Sequence, residues 1–340
     1  MSTTDDQPVA GEGALPPEDL RKRVGLIEGS VEEFEGAGRA CYLGLLDGLP
    51  SDFSLEGKRI LDFGCGAGRV LRHFIDGPER TELWGCDVHG PSIEWLRENL
   101  SPPIHAFVND TLPPLPFDTG SVDLIYALSV FTHLAEDWSA WLLEIHRILA
   151  PDGLAFITLL GEPMWDAHLG KPFFQEQLAG PWDESSVGCF ITNFGMAQDD
   201  IGPCIYHSEW WIREHWSRCF DIVQFEPWGY AVPAGVHDGQ GYVVLRRRDV
   251  DIDAAALEAP GPTTEDELRA VQANLAFVNR EMAAWRALAK AAGGAYEIAE
   301  ARAASLAARV TQLERWRRRV ARYLPGRRGR TERARRALSR

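Results

Sequence analysis

The residues Asp62-Phe63-Gly64-Cys65-Gly66-Ala67-Gly68-Arg69 close a short apolar run and open a segment of helical pattern. Glycine at every second position lets the backbone turn tightly and removes any Cβ that would stand between the main chain and a ligand. The next apolar run, Leu83-Trp84-Gly85-Cys86-Asp87-Val88, ends with an acid 23 residues beyond Gly64. An acid at that strand end can accept hydrogen bonds from both hydroxyls of a ribose. Glycines at a strand-to-helix turn, followed by an acid at the next strand end, point to a bound adenosine compound. A dinucleotide turn would carry its last glycine at position 69, where this chain has Arg69, and Asp62 would set an anion against a pyrophosphate. S-adenosylmethionine suits the residues better: it has adenine and ribose, lacks phosphate, and brings a sulfonium and an ammonium. No Gly-Lys-Ser/Thr follows the glycines, which excludes a P-loop.

Chemistry on a sulfonium methyl demands alignment and exclusion of water, because the leaving group departs as a neutral thioether. A base is needed where the acceptor is a weakly acidic hydroxyl, and a carboxylate acceptor needs none. Three histidines are candidate bases. His133 follows the fourth apolar run, at the edge where a transferred methyl is expected. His207 lies in a tryptophan-rich segment with Glu209 near enough in sequence to orient its ring, and His237, followed by Asp238, precedes the last apolar run. Each also has a plain reading as a capping or packing residue. Tyr206, Trp210 and Trp211 are candidate substrate-binding residues, as an aromatic wall for a sugar or flat metabolite, or else the core of a small subdomain. Arg69 can enter the pocket, whereas Arg72 reads as a surface residue. His207, Glu209 and His215 lack the H-E-x-x-H spacing, and Asp199-Asp200 is only a pair of adjacent acids, so no metal is expected.

These residues need elements to hold them. A chain of 340 residues, 45% hydrophobic, is long enough for one α/β domain with substantial additions. Strands are predicted at 59–64, 83–88, 106–108, 122–127 and 154–160, with helices over 67–75, 91–100 and 138–149. Strands this apolar must be covered on both faces, which predicts a doubly wound, mostly parallel sheet. Residues 25–48 read as an earlier helix, and 220–225 and 241–245 as later strands, giving a domain over 25–250. Within it, residues 161–219 carry Trp165, Trp182, Trp210, Trp211 and Trp216 and form a substrate-side insertion, lid or helical subdomain. Beyond it, Leu268, Val271, Leu275, Val278, Met282 and Trp285 recur at helical spacing from Thr264. A similar stripe resumes after Gly293-Gly294 at Leu306, Val310, Leu313, Val320 and Leu324. Residues 262–324 are therefore a helical or coiled-coil extension, burying its stripe against the body or in a homo-oligomer.

The formal charge of −15 conceals an asymmetry: residues 315–340 hold twelve arginines and only Glu332, leaving the first 314 residues at −26. Such an acidic body repels phosphates, so no nucleic acid is expected as a partner. The basic end, with Trp316 and Tyr323 among its arginines and a tail at 325–340, suits either an anionic membrane surface or the chain's own acids. Residues 1–20 hold five acids, no base and Pro16-Pro17, and read as a disordered leader. Without a signal-peptide pattern or a long apolar run, and with six isolated cysteines, the expected location is cytoplasmic, with peripheral contact to a membrane.

The chain resembles the class I S-adenosylmethionine-dependent methyltransferases through Leu61–Arg69, Gly85-Cys86-Asp87, Leu115-Pro116-Phe117, Ser121–Val130, Phe131-Thr132-His133-Leu134 and Leu149–Gly153. Its flavour is that of bacterial enzymes of sugar, glycan and secondary-metabolite pathways. The resemblance implies a seven-stranded Rossmann-like sheet completed by an antiparallel edge. It implies that Gly64, Gly66 and Gly68 line the methionyl and ribose part of the cofactor, that Asp62 orients its amino group, and that Asp87 holds the ribose with Val88 against adenine. Asn109 or Asp110 would approach the adenine amine, and Ala127 and Leu128 the methionyl end. No Asn-Pro-Pro-Tyr or Asp-Pro-Pro-Tyr follows the fourth strand, so the usual pattern for methylating base amines is absent. The expected activity is O-methylation of a small-molecule or sugar hydroxyl; the alternatives are a protein or RNA methyltransferase and a noncatalytic cofactor-binding scaffold.

Overall fold

A computed structural model describes residues 14–23, 29–78, 80–134, 137–169, 189–192, 204–230, 239–259 and 296–323, with single positions between 261 and 283. The chain divides into two units, Met1–Ala167 with Trp216–Leu257, and His168–His215 with Glu258–Arg340.

The first unit is built on a seven-stranded sheet. Its strands are β1 (Arg59–Phe63), β2 (Glu82–Asp87), β3 (Ile104–Val108), β4 (Val122–Ala127), β5 (Leu149–Leu159), β8 (Phe220–Tyr230) and β9 (Gln240–Arg247); β6 (Cys189–Thr192) and β7 (Cys204–His207) pair separately in the second unit. The order is β3-β2-β1-β4-β5-β9-β8. The first five strands are parallel, and β9 is antiparallel to both β5 and β8, so β9 alone is reversed. Leu61, Asp62 and Phe63 in β1, and Leu124 to Ala127 in β4, are buried at successive positions. Unbroken burial of this kind means cover on both faces. The chain leaves β1 for β2 on one side and returns to β4 on the other, which opens a crevice at the carboxyl ends of β1 and β4.

Side chains fix the elements around that crevice. Helix α1 (Glu18–Lys22) precedes α2 (Val31–Gly48), which starts at Ser30, whose Oγ accepts a hydrogen bond from Glu33 N at 3.1 Å. Helix α3 (Gly90–Leu100) has Pro91 in its first turn and buries Ile93, Leu96 and Leu100. Helix α4 (Trp138–Ile148) holds the loop ahead of β4: Glu144 accepts from Leu115 N at 2.7 Å, and Arg147 donates to the carbonyls of Leu115 and Phe117. At the foot of β1, Asp123 accepts from Lys58 Nζ at 2.9 Å and from Arg59 N at 3.0 Å.

Three expectations change. The helix predicted over 67–75 is a 3-10 turn, Leu71–Phe74, because the glycine loop closes tightly first, with Gly68 N bonded to Cys65 O at 3.0 Å. Residues 18–20 of the expected leader are helical, anchored by the buried Leu20. Arg72 is not a surface residue: its side chain is 9% exposed, pairs with Glu35 at 3.1 Å and donates to Ala14 O at 2.6 Å. In the second unit the helix Tyr296–Tyr323 buries Ala303, Leu306 and Leu313, and Val271 and Leu275 of the earlier stripe are buried too. No helix among the described residues is long and apolar enough to cross a membrane.

Phe156 of β5 stacks on Tyr242 of β9 at 4.6 Å and also meets Tyr230 of β8 at 5.3 Å. Phe156→Ala is expected to lower the unfolding free energy by about 3–5 kcal/mol in urea titrations. A loss below about 1 kcal/mol would show that the β5–β9 junction is not part of the core.

Candidate functional site

The glycine loop is tied to the neighbouring strand by its backbone. Gly64 N and Cys65 N both donate to Cys86 O, at 2.8 and 3.0 Å. Gly64, Gly66 and Gly68 have φ of +86°, +53° and +76°, a region that a side chain disfavours. The Asp87 carboxylate is clamped at both oxygens: Oδ2 accepts from Gly66 N and Oδ1 from His89 N, each at 2.8 Å. A carboxylate held by two backbone N–H groups keeps further lone pairs for ligand hydroxyls. Val88, the next residue, is 52% exposed and offers an apolar surface beside that carboxylate. Asn109 N donates to Asp87 O at 3.2 Å, and Asn109 Nδ2 to Asp110 O at 2.8 Å. Asn109 Oδ1 is buried without a hydrogen-bond partner, whereas Asp110 is exposed.

Asp62 is 3% exposed and lies across from Tyr126 in the β1–β4 register. Burial pushes its carboxyl up to about 8; the Tyr126 hydroxyl opposes that rise, Asp87 adds to it, and Arg69 opposes it. The Tyr126 hydroxyl faces this carboxyl yet closes no hydrogen bond of good geometry, and Arg69 Nη1 is likewise buried without a partner.

The exit of β4 is strained. Ala127 is buried, Leu128 half-buried, and Ser129 has φ +60°, rare for a residue with a Cβ. Three bonds hold it there: Ser129 N donates to Thr158 Oγ1 at 2.7 Å, Ser129 Oγ accepts from Gln240 Nε2 at 2.8 Å, and Ser129 O accepts from Thr132 Oγ1 at 2.8 Å. The turn continues through a bond from His133 N to Val130 O at 2.9 Å, with His133 half-buried. A Cβ at Gly64 would fall 2.4 Å from Val130 Cγ2, so the loop carrying His133 abuts the glycine loop.

The remaining candidates belong to the second unit. Tyr206 and His207 are buried on β7, Trp211 is buried and Trp210 half-buried on the helix Glu209–His215. Burial alone pushes His207 down to about 3, which makes it a weak proton acceptor at neutral pH. Its ring meets Trp211 at 5.6 Å, and Trp211 meets His215 at 4.7 Å, so an indole links the two imidazoles. His237 lies outside the described residues.

Sequence reasoning missed Tyr126, Ser129, Thr158 and Gln240. Tyr126 left a signal, as the one hydroxyl in the otherwise aliphatic end of β4; the others are defined only by what they meet across the sheet.

The sequence of residues 60–153 matches a family described as a methyltransferase domain. Over 112 residues the chain is 27% identical to the fatty-acid O-methyltransferase of Mycolicibacterium smegmatis, covering 33% of this chain and 40% of that protein. Over 113 residues it is 24% identical to a probable phthiotriol/phenolphthiotriol dimycocerosates methyltransferase 2 of Mycobacterium ulcerans, covering 33% and 43%. The match thus spans less than half the length of these curated relatives. Among solved structures, an S-adenosylmethionine dependent methyltransferase from Mesorhizobium loti superposes with a TM-score of 0.44 at 16% identity, covering 61% of this chain and 98% of that one.

S-adenosylmethionine is the cofactor that these residues fit. Three buried polar atoms, Tyr126 Oη, Arg69 Nη1 and Asn109 Oδ1, have no hydrogen-bond partner, and Asp62 is a buried acid. Asp87 would hold the ribose and Val88 would meet the adenine.

The raised carboxyl of Asp62 makes binding proton-linked. Below pH 8 the ligand-free site holds a neutral acid, and an ammonium ligand favours the ionised form. Titrating S-adenosylhomocysteine at pH 7 in buffers of different ionisation enthalpy is expected to show close to one proton released, with affinity rising up to about pH 8 and levelling above it. The ligand-free protein should lose stability from this group as pH rises from 3.8 to about 8, and Asp62→Asn should remove both effects. A buffer-independent enthalpy would contradict this account.

Proposed function

We propose that this chain transfers the methyl group of S-adenosylmethionine to an oxygen of a small-molecule or sugar acceptor. The observation that carries the reading is the contact between two loops: Gly64, at the exit of β1, lies against Val130, in the turn that carries His133. This contact supports a base carried on the same turn as Val130, next to the loop that would hold the cofactor. When bound, S-adenosylmethionine supplies an electrophilic methyl carbon whose leaving group needs no acid.

The residues divide the remaining work. Asp87 and the glycine loop would fix the nucleoside end, Asp62 the amino end, and the strained Ser129 turn carries His133. His133 would take the proton of an acceptor hydroxyl as its oxygen bonds to the methyl carbon, while the carbon–sulfur bond breaks and its electrons stay on sulfur. The name of one relative supports oxygen as the acceptor atom. Incubation with S-adenosylmethionine labelled in its methyl group and a panel of alcohols, phenols, sugars and long-chain carboxylates tests the reading. His133→Ala is expected to cut turnover of a hydroxyl acceptor by about a hundredfold while S-adenosylhomocysteine affinity stays unchanged. A carboxylate acceptor should not respond. Full turnover of a hydroxyl acceptor by His133→Ala would remove it as the base.

The same reading gives the basic end a task, that of meeting acceptors at an anionic membrane surface. Arg315, Arg317 and Arg318 are exposed on the helix whose inner stripe is buried. The fatty-acid and dimycocerosate names of the two relatives are in keeping with lipid-like acceptors. The full chain is expected to pellet with phosphatidylglycerol vesicles at low salt and to be released by high salt. Replacing the seven arginines between 327 and 340 with glutamine should weaken this strongly. Equal pelleting of both proteins would defeat the assignment.

A further inference from the structure

The chain leaves β4 through a turn that its own backbone does not favour. The last paired residues of β4 and β5 are Ala127 and Ile157, and two residues further on Ser129 takes φ +60°. There a side chain stands in for the ladder: Ser129 N donates to Thr158 Oγ1 at 2.7 Å. Thr158 is wholly buried, in a stretch of β5 that is otherwise apolar from Leu154 to Leu159. A valine would fill the same volume, and a buried hydroxyl is costly unless it is bonded. Gln240, at the start of β9, reaches the same serine across β5, its Nε2 donating to Ser129 Oγ at 2.8 Å. Thr158 is in register with Tyr242, two residues from Gln240, so Thr158 and Gln240 stand on one face of the sheet.

What this clamp holds is the whole turn. Thr132 Oγ1 donates to Ser129 O at 2.8 Å and His133 N donates to Val130 O at 2.9 Å, so residues 129–133 form one compact unit. Its other flank rests on the glycine loop, where a Cβ at Gly64 would fall 2.4 Å from Val130 Cγ2. Resting on the reading of His133 as the base, we infer that Thr158 and Gln240 are positioning residues. Together they hold Ser129 in its left-handed conformation and thereby fix where His133 stands. Loss of the Thr158 hydroxyl would strand a buried N–H and let Ser129 relax toward an ordinary backbone angle, taking His133 with it. The nucleoside end of the cofactor, assigned to the glycine loop and Asp87, would be untouched.

The test uses the full-length chain, isotopically labelled in its histidine rings, as wild type, Thr158→Val, Thr158→Ser and Gln240→Leu, with S-adenosylhomocysteine as the ligand. The His133 Cε1 resonance is identified by its loss in His133→Asn, and in wild type it is expected to shift on saturation with the ligand. In Thr158→Val and Gln240→Leu that shift should fall by about half or more, while affinity for S-adenosylhomocysteine stays within about threefold. Thr158→Ser, which keeps the hydroxyl, should restore the wild-type shift. With a hydroxyl acceptor, Thr158→Val should lower kcat by about ten- to hundredfold and leave KM for S-adenosylmethionine within about threefold. An unaltered His133 resonance in either variant would overturn the proposal. Equal loss in Thr158→Val and Thr158→Ser would overturn it too, because packing rather than the hydroxyl would then be at work. Should Thr158→Val fail to fold, Gln240→Leu decides. A wild-type His133 resonance indifferent to the bound ligand would instead overturn the reading of His133 as a base beside the cofactor.

Discussion

The Asp87 carboxylate, held at one oxygen by Gly66 N and at the other by His89 N, joins the exits of two parallel strands. The rest of the crevice is referred to that junction. Because Phe63 pairs with Cys86, the N–H groups of Gly64 and Cys65 fall on the same carbonyl, Cys86 O, and the loop starts its turn there. The turn needs positive φ at Gly64, Gly66 and Gly68, and it sets the direction in which Arg69 departs. A carboxylate clamped by charge-assisted hydrogen bonds is a rigid acceptor, so a sugar meeting it encounters fixed geometry.

A second constraint runs against stability. Asp62 occupies the interior of a fully covered strand, where a leucine would pack well and a charge is penalised. Its neighbours answer the penalty incompletely: Tyr126 and Arg69 assist, yet the carboxyl still rises to about 8. Polar groups left short of partners in a covered crevice are a mark of a site shaped for its ligand. Strain at Ser129 tells the same story one strand away, where Thr158 and Gln240 hold an unfavourable backbone in place.

Much of this was legible in the residues. Continuous apolar runs announce parallel strands, and β4 covers Val122–Ala127 as its pattern implies. The glycine turn and the strand end at Asp87 were legible because both act locally, through backbone shape. What escaped depends on neighbours distant in sequence. Pro151-Asp152-Gly153 reads as a stop, yet β5 begins at Leu149, since the register shift against β4 between Val122 and Leu124 absorbs the irregular stretch. Arg72 reads as a surface cation until Glu35 and the carbonyl of Ala14 close around it. His207 looks like a base by type, and only its enclosure shows how weak a proton acceptor it is.

The reversed strand β9 comes last in the chain but sits inside the sheet, between β5 and β8. A nascent or truncated polypeptide that stops short of Gln240 would therefore leave the whole flank of β5, with Leu154 to Ile157 fully buried in the finished fold, as a bare ladder of amides. Such an edge is a template for intermolecular pairing. The region that carries the recognisable motifs is thus not one that can be excised, and solubility of any fragment hinges on keeping a strand some ninety residues downstream.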